Sequence, residues 1–155
     1  MSGFWNWALA AYRAPGVSDA CLTLQDTHGH NVPLLLWAGW TAATGRALDE
    51  ETLEAACDAA RAWDGAAVGP LRAVRRTLKA PIPDIGDAGR EALREQVKAI
   101  ELAAERALMA DLEALAPAGS GLTMPKLEAL VAVARVLTRV VPRPALGVLA
   151  ERLPA

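Results

Sequence analysis

Apolar residues recur along this chain at steps of three and four, the spacing of one helix face, rather than at steps of two. In the first segment Trp5, Leu9 and Tyr12 mark such a face, and Phe4, Trp7 and Ala11 widen it. Ser2 is placed to cap this helix at Gly3, and Pro15-Gly16 ends it. Ser18 is the next N-cap candidate, for a short helix carrying Cys21, Leu22 and Gln25 that stops at His28-Gly29. Asn31 then caps a third helix, with Pro33 tolerated in its first turn. That helix, Val32 to about Thr44, reads VPLLLWAGWTAAT and has almost no polar face, so it is predicted to lie at the centre of the core.

Gly45 supplies the stop, and Asp49 opens a fourth helix with Glu50 and Glu51 favourably placed for the helix dipole. Leu53, Ala56, Cys57, Ala60 and Trp63 trace its apolar face, which leaves Glu50, Glu54, Asp58 and Arg61 to solvent. After Asp64-Gly65 a fifth helix is expected to carry Leu71, Val74 and Leu78 inward until Pro81 and Pro83 break it. The longest element begins at Asp84 or Asp87, and its stripe runs Leu93, Val97, Ile100, Ala104, Leu108, Leu112 and Leu115. At ~1.5 Å per residue it would span ~40 Å, so it is expected either to kink or to protrude as half of a helical hairpin. A loop, Pro117 to Thr123, precedes a helix capped by Thr123 with Leu127, Leu130, Val131, Ala134 and Leu137 inward. Pro142 and Pro144 separate this from a short terminal helix, Ala145 to Leu153. No segment alternates strictly, so no sheet is expected. The expected fold is all-α: a single-domain helical bundle of about six to eight helices with one long helix near residues 87–115. Within that single domain, 1–155, residues 1–80 read as an aromatic-rich compact module and 84–155 as the long helix plus C-terminal helices.

A length of 155 residues suits one domain with a continuous core, and 53% hydrophobic against 22% charged residues argues against global disorder. The formal net charge of -2 hides an uneven distribution, because residues 65–80 carry four basic groups and no acid. A near-neutral total disfavours a general nucleic-acid binder, which needs a dominant basic surface. The N-terminus lacks the pattern of a secretory signal, and no apolar run approaches the ~20 residues that span a bilayer. Cys21 and Cys57 each sit among small apolar residues and read as reduced core thiols, so a cytoplasmic location is expected.

The run FWNWALAAYRAPGVSDACLTLQDTHGHNVPLLLWAGW, with PLRAVRRTLK further on, resembles the signature of a family of short bacterial proteins known only as a domain of unknown function. The resemblance covers roughly residues 4–80. It implies a helical cytoplasmic protein and no reaction, substrate, cofactor or catalytic residue.

Two polar constellations stand out. Gln25, Asp26, His28, His30 and Asn31 form an island between two apolar helices, which suits the mouth of a ligand pocket. The structural alternative is local: Asn31 caps its helix, His28 neutralises the preceding helix end, and Gln25 and Asp26 bond nearby amides. As a metal centre the island lacks a third histidine and separated ligand pairs, so no metal is expected. Arg72, Arg75, Arg76 and Lys79 share one helix face and could clamp a phosphate, RNA or an acidic partner. Alternatively they pair with the acidic helix Asp49–Asp58. Phe4, Trp5, Trp7 and Tyr12 could suit a membrane interface, but with Arg13 the one cation among them they read as core anchors.

Cys21 has no evident base beside it, and no acid/base pair or nucleophile site is legible. No catalytic residue and no cofactor are assigned. The leading expectation is a non-catalytic helical binding or adaptor protein with a protein partner engaged by the Arg72–Lys79 face or the long helix. The alternative is a binder of an anionic small molecule, or a small enzyme, with its pocket near Asp26–Asn31.

Overall fold

The computed structural model describes residues 3–155, and the Ser2 cap expected for the first helix lies outside them. The described residues are all helical or irregular: α1 (Gly3–Arg13), α2 (Val17–His28), α3 (Val32–Ala43), α4 (Glu50–Trp63), α5 (Gly69–Thr77), α6 (Asp87–Leu115), α7 (Lys126–Leu137) and α8 (Arg143–Arg152). A five-residue π turn, Asp64–Val68, joins α4 to α5 without a break, so residues 50–77 form one rod. Here the structure departs from the expected stop at Asp64-Gly65. Both Asp64 and Gly69 keep right-handed helical angles, and the Gly69 N–H donates to the Asp64 carbonyl five residues back.

α3 is the centre of the core, as its all-apolar sequence predicts. Residues from Pro33 to Ala42 are buried throughout, and Trp37 and Ala38 are fully enclosed. Its start is set by Asn31, whose Oδ1 accepts from the Leu34 N–H at 3.0 Å. Asp49 does the same for α4, accepting from Thr52 N–H at 2.7 Å. Phe4 from α1 stacks on Trp40 with ring centroids 5.1 Å apart, a geometry worth ~0.5–1.5 kcal/mol beyond the area buried. Leu108 and Leu112 of α6, Leu130 and Val133 of α7, and Leu146 and Leu149 of α8 complete the cluster around α3.

Several element boundaries differ from expectation. Gly16, in a left-handed conformation, occupies the N-cap of α2, and Ser18 falls inside the helix. α7 starts at Lys126 after Pro125 rather than at a Thr123 cap. The segment before it is held instead by α3: Ser120, Gly121 and Met124 donate their N–H groups to the carbonyls of Gly45, Thr44 and Ala42. Ala42 is in the last turn of α3 and Thr44 and Gly45 follow it, so the loop packs across the C-terminal end of α3 and bonds carbonyls there.

α6 runs unbroken for 29 residues, and its N-terminal half packs on α5 to make a helical hairpin. Four of its seven predicted stripe residues, Val97, Ala104, Leu108 and Leu112, are buried as expected, and the other three are not. Arg90, Val97, Glu101, Ala104, Leu108, Met109 and Leu112 are buried, whereas Leu93, Ile100 and Leu115 are exposed. The cause is α5, whose contact face toward α6 is ionic: Arg72 and Arg75 draw Glu101 inward. Val74 is exposed for the same reason, with Leu78 alone of its expected stripe fully buried.

Candidate functional site

Residues of the 50–77 rod line one side of a cleft of about 340 Å³, opposite the turn between α2 and α3. Ala60, Arg61, Asp64, Val68 and Arg72 all contribute to it. Steps of four drift around an ordinary helix of 3.6 residues per turn. The wider π turn takes up that drift between Asp64 and Val68, which keeps Arg72 aimed at the same cleft as Ala60. Gln25, His30 and Asn31 face them from the α2–α3 turn, and Leu108, Leu137 and Thr138 supply the remaining wall.

His30 is the most constrained polar group in this cleft, with 3% of its surface exposed. Its Nε2 lies 3.0 Å from the Val140 carbonyl, which can only accept, so Nε2 carries the proton. Burial lowers the imidazole pKa below its ordinary 6.5, helped by His28 and opposed by the Val140 hydrogen bond. The ring is therefore neutral at neutral pH, and Nδ1 is a bare acceptor. That Nδ1 is buried and has no hydrogen-bond partner. Trp7 and Trp37 also leave an indole N–H unpartnered outside this cleft, and within it Arg72 Nε is buried without a hydrogen bond, although it lies 3.4 Å from the Glu101 carboxylate.

The cationic face predicted on α5 is real, yet most of it is consumed inside the molecule. Arg75 grips Glu101 at 2.6 and 3.3 Å, Arg72 approaches Glu101 at 3.4 Å and Glu105 at 3.7 Å, and Arg76 reaches Asp26 at 3.3 Å. Lys79 is exposed at the end of the row. The partners are thus α6 and Asp26, not the acidic helix Asp49–Asp58. Glu101 is buried beneath the two guanidiniums, and its carboxylate raises the pKa of Arg75. Burial raises the pKa of Glu105, as does Glu101, against the opposing pull of Arg72 and Arg75.

Gln25, His30, Asn31 and Arg72 therefore meet in one cleft, whereas Asp26 and His28 do not line it. Asn31 also serves as the α3 cap, and Gln25 donates to Asp26 at 3.3 Å, so part of the island has the local role its sequence allows. Arg61, expected to face solvent, donates to the Val136 and Leu137 carbonyls at 2.8 Å and closes the C-terminal end of α7 beside the cleft. Sequence periodicity carries no signal for Glu101, Glu105 or Asp64 as site residues, because a charged side chain reads as solvent-facing until its partner is known. Among the described residues no three His, Cys, Asp or Glu side chains converge as a metal set. Cys21 and Cys57 are free, buried thiols whose pKa values burial pushes up to about 12 and about 11, which keeps them protonated and unreactive. No helix among the described residues is long and apolar enough to cross a membrane.

No curated protein and no solved structure matches the chain. One family model, described as "Protein of unknown function (DUF2390)", matches residues 3–112, which takes in α1 through most of α6 and all but two of the residues that line the cleft. With the match covering well over half of its length, the chain belongs to that family of proteins of unknown function.

Proposed function

We propose that the protein is a non-catalytic binder of small molecules, and that its cleft takes an uncharged polar group that donates a hydrogen bond to His30 Nδ1. The observation that carries this reading is the orphaned acceptor on a nearly enclosed histidine that lines the cleft. A buried acceptor without a partner costs about 1–3 kcal/mol, so a ligand that satisfies it recovers that energy on binding. Arg61 and Arg72 are balanced by Asp64 and Glu105 in the same lining, which favours an uncharged ligand over the anionic one suggested by the basic run alone. Both thiols are held protonated and neither lines the cleft, so no cysteine nucleophile serves it. The two unoxidised cysteines suit the cytoplasm.

The adaptor reading retains Arg76 and Lys79 as its exposed cations, and the pairing of Arg72 and Arg75 with α6 weakens it. A thermal-shift panel of sugars, polyols and amides, run beside phosphorylated counterparts and divalent metals, tests the choice. Uncharged members are expected to raise the melting temperature of the wild type and to leave His30→Phe unmoved. Stabilisation by the phosphorylated members alone, or an equal response from a folded His30→Phe, would overturn the reading.

A further inference from the structure

The apolar face that α1 does not give to the core forms one wall of a second cavity. Phe4, Ala8 and Ala11 are buried, while Leu9 and Tyr12, predicted as core positions, stand exposed. With Trp5 they line a groove of about 300 Å³, closed by Leu22 of α2, Leu36 of α3 and Met109 of α6. Single exposed leucines are ordinary on a protein surface. Here apolar side chains from four helices surround one concavity, and the charged groups in its wall, Arg72, Arg75, Glu101 and Glu105, are paired with one another.

This groove adjoins the His30 cleft. Gln25, Val32, Pro33, Arg72 and Glu105 line both, so the two cavities adjoin and share part of their lining. One side offers an unsatisfied acceptor and polar groups; the other offers apolar surface with no uncompensated charge. We infer that the ligand is an amphiphile: an uncharged hydroxyl- or amide-bearing head at His30, and an alkyl or acyl chain that runs over the shared residues into the groove. This rests on the cleft reading above and adds the chain. A groove of about 300 Å³ has room for an alkyl chain. The mutual neutralisation of the arginines and glutamates favours the same class, since a lone charge beside the chain would be penalised by the apolar wall.

The test uses butyl, octyl and dodecyl glucoside, each below its micellar concentration, titrated into the full chain by calorimetry. Binding is expected to tighten by up to about fourfold per methylene from butyl to octyl, as for transfer of a chain out of water, and to level off at dodecyl. Leu9→Trp, which fills the groove from an exposed wall position, should flatten the gain in affinity from butyl to octyl. His30→Phe should weaken all three by a similar factor. Affinity that is flat along the series, with butyl glucoside still dependent on His30, would sink the amphiphile and leave the cleft reading standing. Failure of all three to bind would overturn both.

Discussion

Nε of Arg75 lies 2.6 Å from Oε2 of Glu101, and this contact from α5 to α6 ties together the two arms of the helical hairpin. Arg72 approaches the same carboxylate at 3.4 Å from the previous helical turn. The Glu101 side chain is 8% exposed, so solvent does little to screen the arrangement. Removing its charge leaves two guanidiniums facing a neutral amide. Glu101→Gln is expected to cost about 2–3 kcal/mol in chemical denaturation, below the upper range for a buried pair because both arginines keep some contact with water.

One turn further along α6, Glu105 should behave oppositely. Its pKa is raised by burial first and by Glu101 second, so between 4.5 and that higher value the folded chain holds more protons than the unfolded one. Stability from this group therefore falls as pH rises through that window, and the ionised carboxylate is a burden at neutral pH. Glu105→Gln is expected to leave stability unchanged or to raise it by up to about 1 kcal/mol. A loss as large as that of Glu101→Gln would show that Glu105 holds the hairpin after all.

His30 sets a second pH dependence, with the opposite sign. Its folded pKa lies below the ordinary 6.5, so the unfolded chain takes up the proton first as pH falls. The stability associated with the neutral ring is complete above 6.5 and is lost as pH drops from there through the lower folded value. Denaturation curves followed from about pH 7 to about pH 5 should show a steeper loss for the wild type than for His30→Phe. Ligand affinity should fall over the same interval, because protonation turns Nδ1 from an acceptor into a donor. Parallel curves for the two proteins would contradict the assignment.

Gly69 closes the π turn under steric constraint. A Cβ at this position would lie 2.7 Å from the Asp64 carbonyl oxygen, the acceptor of the bond that defines the turn. Gly69→Ala must therefore displace that carbonyl. Because the turn aligns Asp64 and Val68 with Arg72, the substitution should lower ligand affinity more than it lowers stability. Hydrogen exchange at the Gly69-to-Val74 amides, compared with affinity for butyl glucoside, would separate the two effects.

Gly45 has the stricter requirement. Its φ is +69°, and an added Cβ would run into Ser120 Oγ and sit 2.5 Å from the Leu122 carbonyl. The clash falls on the loop that packs across the C-terminal end of α3. Gly45→Ala is expected to cost about 1–3 kcal/mol, to be read from the thermal midpoint. A midpoint within a degree of the wild type would mean that the loop is not held as described.

The elements most legible beforehand were those whose signal is local. Asn31 and Asp49 announce helix starts because a short side chain can bond an amide three residues on, and both do. Val32 to Thr44 announces the core because no face of that helix can remain in water. In α6 the apolar spacing finds Val97, Ala104, Leu108 and Leu112 but also places Leu93 and Ile100 inward, where the structure exposes them. Arg72 and Arg75 of the preceding helix hold Glu101 inward beside them.

The amino-acid order by itself determined the helices, the central place of α3, the cationic row on α5 and the polar island before Asn31. Only the tertiary structure decided where those groups point. It spent Arg72 and Arg75 on α6, brought His30 against Val140 so that one ring nitrogen is left without a partner, and set a polar cleft beside an apolar groove. Helix formation depends on residues a few positions apart. Pairing and burial depend on groups such as Arg75 with Glu101 and His30 with Val140, which only the packing of whole helices brings within reach.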